Sequence, residues 1–353
     1  LVPLLRSGLL SPLETLRAGL DLVLPRTSLP ADPTVADLVR PRFGDGVYQR
    51  LAAPLLGGVH AGDPALLSAR STVPEIAAMA GSGRSLYLTM RGRRRQAPVP
   101  AAGAPRPRAP LVSVRGGLSR LTQRLVEEIG PGLVQTRTQV VGLERADDGW
   151  VVVTDRGRTT TADLILATPA PAAAVLLEAH SPRAATLLRE IPYVDVANVT
   201  LALPADRVGP LPAGTGFLVP PVEGELTVGC TWLSQKWPHL AQPDHVVVKT
   251  MVGRAGDSRW VAMSDDELVG RVRDDLRRLL GITAEPVEVL VQRWPQAMPQ
   301  YVVGHAARLD ALDAAVATLP GLALTGAAYR GVGLAGCVAQ ARATADRITA
   351  GTS

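Results

Sequence analysis

The chain has 353 residues, of which 46% are hydrophobic, 20% charged and 3% aromatic, a globular composition with material for two or three domains. The formal charge of +5 suits an acidic ligand or an anionic surface and is silent about fold. Two distant cysteines, Cys230 and Cys337, with no CxxC or His-rich partner, argue against a disulfide framework or a zinc site and for free thiols in a reducing compartment.

Every basic residue except Lys236 and Lys249 is Arg, which reads as coding bias more than as selection for bidentate phosphate contacts. No apolar run approaches the roughly 18 residues that span a bilayer. The opening LVPLLRSGLLSPLETLRAGLDLVLP is broken by Arg, Glu and prolines, so it reads neither as a signal peptide nor as a spanning helix.

Residues 1 to about 95 read mostly as helix. Ser11-Pro12 places Pro at a helix N1 position, and LETLRAGLDLVL repeats its apolar residues at three and four. Thr34 is expected to cap VADLVRPRF, and the segment from Phe43 to Val59 continues in helical pattern with glycine breaks. Helical spacing returns between Val73 and Met90. RGRRRQAPVPAAGAPRPRAP (91–110) reads as a solvated Pro- and Arg-rich loop. A nucleic-acid patch there would want interleaved aromatics or a known fold, and neither is present.

From Leu111 the grammar alternates strand and helix. VSVRGGLSRLTQRLVEEI is a turn feeding an amphipathic helix. TRTQVVGLERADDGWVVVTDRG is a hairpin turning at Asp-Asp-Gly. LILAT is expected as a buried strand ahead of a proline turn and a helix. Between Ile191 and Gln292 lie several strands and one long helix, SDDELVGRVRDDLRRLLG, with Ser264 and Glu267 as its capping box. GLALTGAAY is a strand, and a helix closes the chain.

Gly331-Val-Gly333-Leu-Ala-Gly336 matches G-x-G-x-x-G after a strand and before a helix. A dinucleotide fingerprint should open a βαβ unit and be followed about 20 residues later by an acidic ribose ligand. Here the sequence stops at Ser353, so the motif is expected to close a fold. Glycines let backbone approach a planar ligand, and the following helix aims its positive end there. By spacing alone, a ligand-facing turn and a plain packing turn are equally compatible.

Four separated blocks are more specific. TGAAYRGVGLAGCVAQARATAD, QRWPQAMPQYVVGHAARLDAL with its Trp-x-x-x-Met-Pro-Gln-Tyr-x-x-Gly-His pattern, FGDGVYQRLAAPLLGGVHAGDPALLSARSTVPEI and VRGGLSRLTQRL are spread over nearly the whole chain, between residues 43 and 346. In their order along the chain they resemble the protoporphyrinogen/coproporphyrinogen III oxidases, FAD-dependent members of the flavin amine oxidase superfamily. The resemblance implies an α+β / α/β, glutathione-reductase-like, amine-oxidase-type FAD-binding fold, here lacking its N-terminal βαβ. A mixed-sheet substrate domain and a helical domain accompany it. The implied boundaries are 1–110 helical, 111–188 FAD part, 189–298 substrate domain and 299–353 C-terminal FAD part.

The reaction so implied oxidises a porphyrinogen to the porphyrin in haem biosynthesis, with O2 as acceptor. Coproporphyrinogen III is favoured over protoporphyrinogen IX, ferrochelatase is a downstream partner, and the location is cytoplasmic or peripheral to the membrane. Carried over residue by residue, Val140, Trp294, Gly326, Val332, Gly333 and Leu334 fall at cofactor positions. Leu88, Thr89 and Met90 fall where the family lines its substrate cavity. No catalytic residue is assigned: the histidines at 60, 180, 239, 245 and 305 are dispersed, and a structural hydrogen bond is expected of His305. The rival readings are a carotenoid desaturase-like or amine oxidase enzyme, which share the glycine-rich close without MPQY-x-x-GH, and an inactive or mis-started fragment without FAD binding.

Overall fold

A computed structural model describes residues 7–25, 28–83, 85–96 and 112–351. The first part is helical: α1 (Pro12–Gly19), α2 (Val35–Val47), α3 (Ala53–His60), α4 (Ala69–Thr72), α5 (Pro74–Ser82) and α6 (Leu86–Gln96). The expected starts hold. Ser11 and Thr34 each accept a hydrogen bond from the backbone N–H three residues on, with Glu14 and Asp37 completing the capping boxes. These helices close on a core of Val35, Leu38, Leu56, Leu67 and Met79. The Arg-rich segment departs from expectation, since α6 runs through Gln96. Its LYLTMRGRRRQ sequence carries few helix breakers. Residues 97–110 of that segment lie outside the described residues.

Asp21 joins this part together. Its buried carboxylate accepts from Arg42 (3.1 Å), from the Ser85 hydroxyl (2.7 Å) and from the backbone N–H groups of Leu86 and Tyr87 (3.3 and 3.0 Å), capping α6 from outside the helix. Burial by itself would raise its pKa. The hydrogen bonds from Ser85, Tyr87, Arg42 and Leu86 outweigh that and hold it below the ordinary carboxylate range.

The second part contains α7 (Ser119–Ile129), the antiparallel sheet β1 (Val140–Ala146), β2 (Gly149–Thr154) and β3 (Gly157–Thr161), then β4 (Leu164–Leu166), α8 (Ala170–Leu177) and α9 (Pro182–Arg189). The β1–β2 turn needs glycine at its end. Gly149 has φ +149°, and a Cβ there would lie 2.2 Å from the Thr161 carbonyl oxygen. Trp150 is fully buried and donates Nε1–H to the Pro320 carbonyl (3.0 Å), which fixes the sheet to the C-terminal part. Small residues Ala170, Ala173 and Ala174 let α8 sit close against its neighbours.

Among the described residues β4 pairs only with β10 (Leu322–Leu324), in a parallel two-stranded sheet. The strand expected to be buried therefore has Ile165 41% exposed, because one face of so narrow a sheet meets solvent. α7 is as amphipathic as its sequence requires, yet it buries none of its residues. Leu121, Leu125 and Ile129 form an exposed apolar stripe at i, i+4 and i+8.

The third part is a five-stranded sheet in the order β6-β7-β8-β5-β9, from β5 (Tyr193–Pro204), β6 (Gly216–Leu218), β7 (Thr227–Trp232), β8 (His245–Val252) and β9 (Glu288–Pro299). The sheet was expected to be mixed, but all four pairings are antiparallel. Its connections, none of them a crossover helix between parallel neighbours, return each strand beside its partner in reverse. The short α10 (Leu233–Lys236) follows β7, and α11 (Asp265–Leu280) packs on one face. On α11, Leu268, Val272 and Leu276 meet Ala197, Val199, Leu201 and Leu203 of β5, period four against period two. The Ser264–Glu267 capping box forms as read (2.8 and 3.2 Å). β9 runs past the expected limit at Gln292, through Pro299, with Gln296 at φ +46°. The chain closes with α12 (His305–Val316), β10 (Leu322–Leu324) and α13 (Leu334–Gly351).

Replacing Asp21 by Ala removes the carboxylate from the buried Arg42 guanidinium and uncaps α6. Urea unfolding should show a loss of about 3 kcal/mol, and Asp21→Glu should recover part of it.

Candidate active site

The segment leaving β9 carries Tyr301, and α12 begins with His305 one turn later. Their rings stack, with centroids 4.1 Å apart and planes 14° from parallel. The Tyr301 hydroxyl donates to the Ala327 carbonyl (2.7 Å) and accepts from the Gly331 N–H (2.8 Å). Burial pushes its pKa up to about 12, so the phenol stays neutral and able to donate. His305 Nε2 lies 2.8 Å from the Tyr329 carbonyl, which can only accept, so that nitrogen carries the proton. Burial lowers the imidazole's pKa and keeps it neutral. The structural hydrogen bond expected of His305 is therefore present. Gln340, one helical turn beyond Gly336, ties the turn from the other side through the Gly331 and Gly336 carbonyls (3.3 Å each) and the Arg330 N–H (3.0 Å).

The three glycines of the turn have different reasons to be glycine. Gly331 has φ +135°, and a Cβ on it would come 3.3 Å from Gly336 Cα, so these two are needed where the chain crosses itself. Gly333 has neither constraint: its φ is ordinary and nothing lies within 4 Å of where its Cβ would be. Its open face contributes to a cavity of about 650 Å³, whose wall also includes Val332, Met298, His60, Tyr301, His305 and Tyr329. The steric reasons that hold at 331 and 336 are absent at 333, so its backbone face is open to whatever occupies the cavity. The first turn of α13 adds N–H groups that a helix cannot bond within itself, and its positive end.

The cavity wall also carries orphaned polar atoms. His305 Nδ1 and the Tyr329 hydroxyl are buried with no hydrogen-bond partner among the described residues. An open glycine face, a helix N-terminus and these two groups fit a flat, polar-edged, electron-accepting ring such as a flavin. His60 lines the same cavity with its pKa lowered by burial.

Of the residues expected from sequence, Val332 and Gly333 line this cavity and Leu334 begins α13 with 56% exposure. Gly326 (φ +127°) stands at the end of β10 beside the Ala167 carbonyl. Trp294 pairs with Val196 four residues before Met298 and is 40% exposed, outside the cavity wall. Val140 opens β1, also exposed and also outside it. Leu88, Thr89 and Met90 lie on α6 and do not line the cavity. Sequence reasoning missed Gln340, although its i+4 spacing from Gly336 was a signal. It also missed His60, for which no local signal existed.

The fold and the site define a flavoprotein oxidoreductase of the amine-oxidase type. The family model for flavin containing amine oxidoreductases matches residues 2–349, and the chain belongs to that family. It is 32% identical over 351 residues to the coproporphyrinogen III oxidase of Bacillus subtilis (strain 168), covering 99% of this chain and 74% of that one. It is 34% identical over 339 residues to the coproporphyrinogen III oxidase of Mycobacterium leprae (strain TN), covering 95% and 71%. The crystal structure of a "putative protoporphyrinogen oxidase" from Exiguobacterium sp. 255-15 superposes with a TM-score of 0.84 at 31% identity, covering 97% of this chain and 73% of that one.

Two outcomes follow from the clamp. Tyr301→Phe removes one donor and one acceptor beneath the turn and should cost about 1–3 kcal/mol in urea unfolding. His305 binds its proton more weakly in the fold than in the unfolded chain, where its pKa is about 6.5. Its contribution is then complete above that pH and is lost as pH falls below it. Melting temperature should drop between pH 7.5 and 5.5, and His305→Gln should flatten the drop.

Proposed function

We propose that this chain carries out FAD-dependent oxidation of a porphyrinogen to the porphyrin, with coproporphyrinogen III preferred to protoporphyrinogen IX and O2 as electron acceptor. The observation that carries the reading is the clamped glycine turn with its open Gly333 face, in a chain similar over 99% of its length to a coproporphyrinogen III oxidase. Bound FAD would supply the two-electron acceptor. The protein's part is positional: Tyr301, His305 and Gln340 fix the turn, and Val332 and Gly333 offer backbone to the ring face. The positive end of α13 favours negative charge beside it.

Trp294, Gly326, Leu334 and the adenine-side Val140 complete the proposed cofactor contacts, and Leu88, Thr89 and Met90 the weaker substrate contacts. The division at residues 110, 188 and 298 belongs to the same reading. Among the described residues no helix is long and apolar enough to cross a membrane. A cytoplasmic enzyme in peripheral membrane contact, handing product to a ferrochelatase, is the proposed setting.

With excess FAD in air, coproporphyrinogen III should give rising porphyrin fluorescence, faster than protoporphyrinogen IX. Equal rates with and without protein would reject the assignment. Gly333→Val should leave urea stability within about 0.5 kcal/mol while weakening FAD binding severalfold. A further expectation is that the chain by itself holds FAD weakly, because its one G-x-G-x-x-G turn, at 331–336, does not open a βαβ unit that would bind the pyrophosphate. Stoichiometric flavin absorbance after purification would refute that.

A further inference from the structure

The only two lysines of the sequence, Lys236 and Lys249, line one cavity of about 750 Å³ between α3 and the outer face of the antiparallel sheet. Strand alternation explains Lys249. Val248, Thr250 and Val252 of β8 turn into the sheet's core side, so Lys249 and Met251 turn the other way, toward α3. Lys236 ends α10, which follows the neighbouring strand β7. Arg50 joins them, and the cavity wall contains no Asp or Glu.

Neither lysine has a carboxylate within ion-pair distance among the described residues; Lys236 meets only the Trp237 ring, at 5.7 Å. The Arg50 guanidinium reaches Glu223 at 3.4 Å, a long contact at an exposed site. Burial, and then the nearby Lys236 charge, lower the Lys249 pKa. A half-buried Lys249 ammonium beside a second cation, with no carboxylate in the cavity wall, is an energetic cost that a bound dianion removes.

Apart from Thr215 and Thr231, the rest of the wall is mostly apolar, and part of it is exposed. Leu55 and Val59, one helical turn apart on α3, are each 57% exposed, and Leu218 faces them from β6. Gly58 keeps this approach close: a Cβ there would meet Leu218 at 2.6 Å. Cations at one end of an apolar groove select a large amphiphile with carboxylate arms, not a compact anion. Val59 is also part of the wall of the glycine-turn cavity, so the two spaces adjoin.

We infer that Lys236 and Lys249, assisted by Arg50, bind the carboxylate side chains of a tetrapyrrole whose ring lies along Leu55, Val59 and Leu218 toward the glycine turn. This rests on the porphyrinogen reading above. It makes the carboxylate arms a determinant of substrate choice, so a substrate with more of them gains more from this end of the groove.

The test is a Soret-band titration of the full chain, in excess FAD, with coproporphyrin III and with its tetramethyl ester. Coproporphyrin III should bind the wild type, and K236A/K249A should weaken it about tenfold to a hundredfold. K249R should retain affinity within about threefold, and the ester should bind weakly and alike to all variants. Equal affinity of K236A/K249A and wild type for coproporphyrin III would overturn the lysine assignment and leave the tetrapyrrole reading standing. Failure of the wild type to bind either porphyrin would overturn both. A second measurement avoids variants altogether. Because the chain has two lysines, peptide mass spectrometry reads the acylation of each directly. Saturating coproporphyrin III should protect both from acetic anhydride and the tetramethyl ester neither, and unprotected lysines would overturn the proposal.

Discussion

The segment from Pro299 to His305 is the junction on which the rest of the molecule depends. It continues β9 out of the antiparallel sheet, and Tyr301 and His305 on it hold the glycine turn from beneath. Its backbone bonds the helical part as well: Ser68 N–H donates to the Tyr301 carbonyl (2.8 Å), Val303 N–H to Leu66 (3.1 Å), and Gly304 N–H to the Asp32 carboxylate (2.8 Å). Three separate hydrophobic cores thus meet through one short stretch of chain. Hydrogen bonds here outweigh their individual strength, because each fixes the position of a whole part and because buried polar groups are costly to leave unpaired.

That junction also explains how the molecule presents two adjoining cavities. Pinning the turn against Tyr301 places Gly333 over open space. Pinning the helical part through Ser68 and Asp32 brings α3 across both the turn and the outer face of the sheet. Val59, midway, belongs to both walls. A ligand long enough to use both spaces would meet cations at one end and the electron-accepting site at the other. The protein's contribution to the chemistry is then alignment, with no nucleophile, metal cluster or carboxylate pair required of it.

Much of the local structure was legible because it obeys near-neighbour rules. The capping boxes at Ser11, Thr34 and Ser264, the long α11 and the alternating β5 are set by residues three or four, or two, positions apart. Expectation departed from structure where burial depends on distant chain. LILAT was apolar enough for a buried strand, but β4 has a single neighbour and an exposed Ile165. α7 has the pattern of a packed helix, yet none of its residues is buried among the described residues. The substrate sheet's antiparallel order follows from which strands pair, and strand composition does not encode that.

By itself the sequence determined the helix starts, the glycine-rich close and the family, since each is written in contiguous residues or in motifs of fixed spacing. It also showed that lysine occurs only twice, which as composition meant little. Only the tertiary structure distinguished Gly333 from Gly331 and Gly336, because that difference lies in what surrounds each missing Cβ. Only the tertiary structure brought Lys236 and Lys249 to one wall opposite α3, because the facing of a side chain on a strand acquires meaning when another element lies across it.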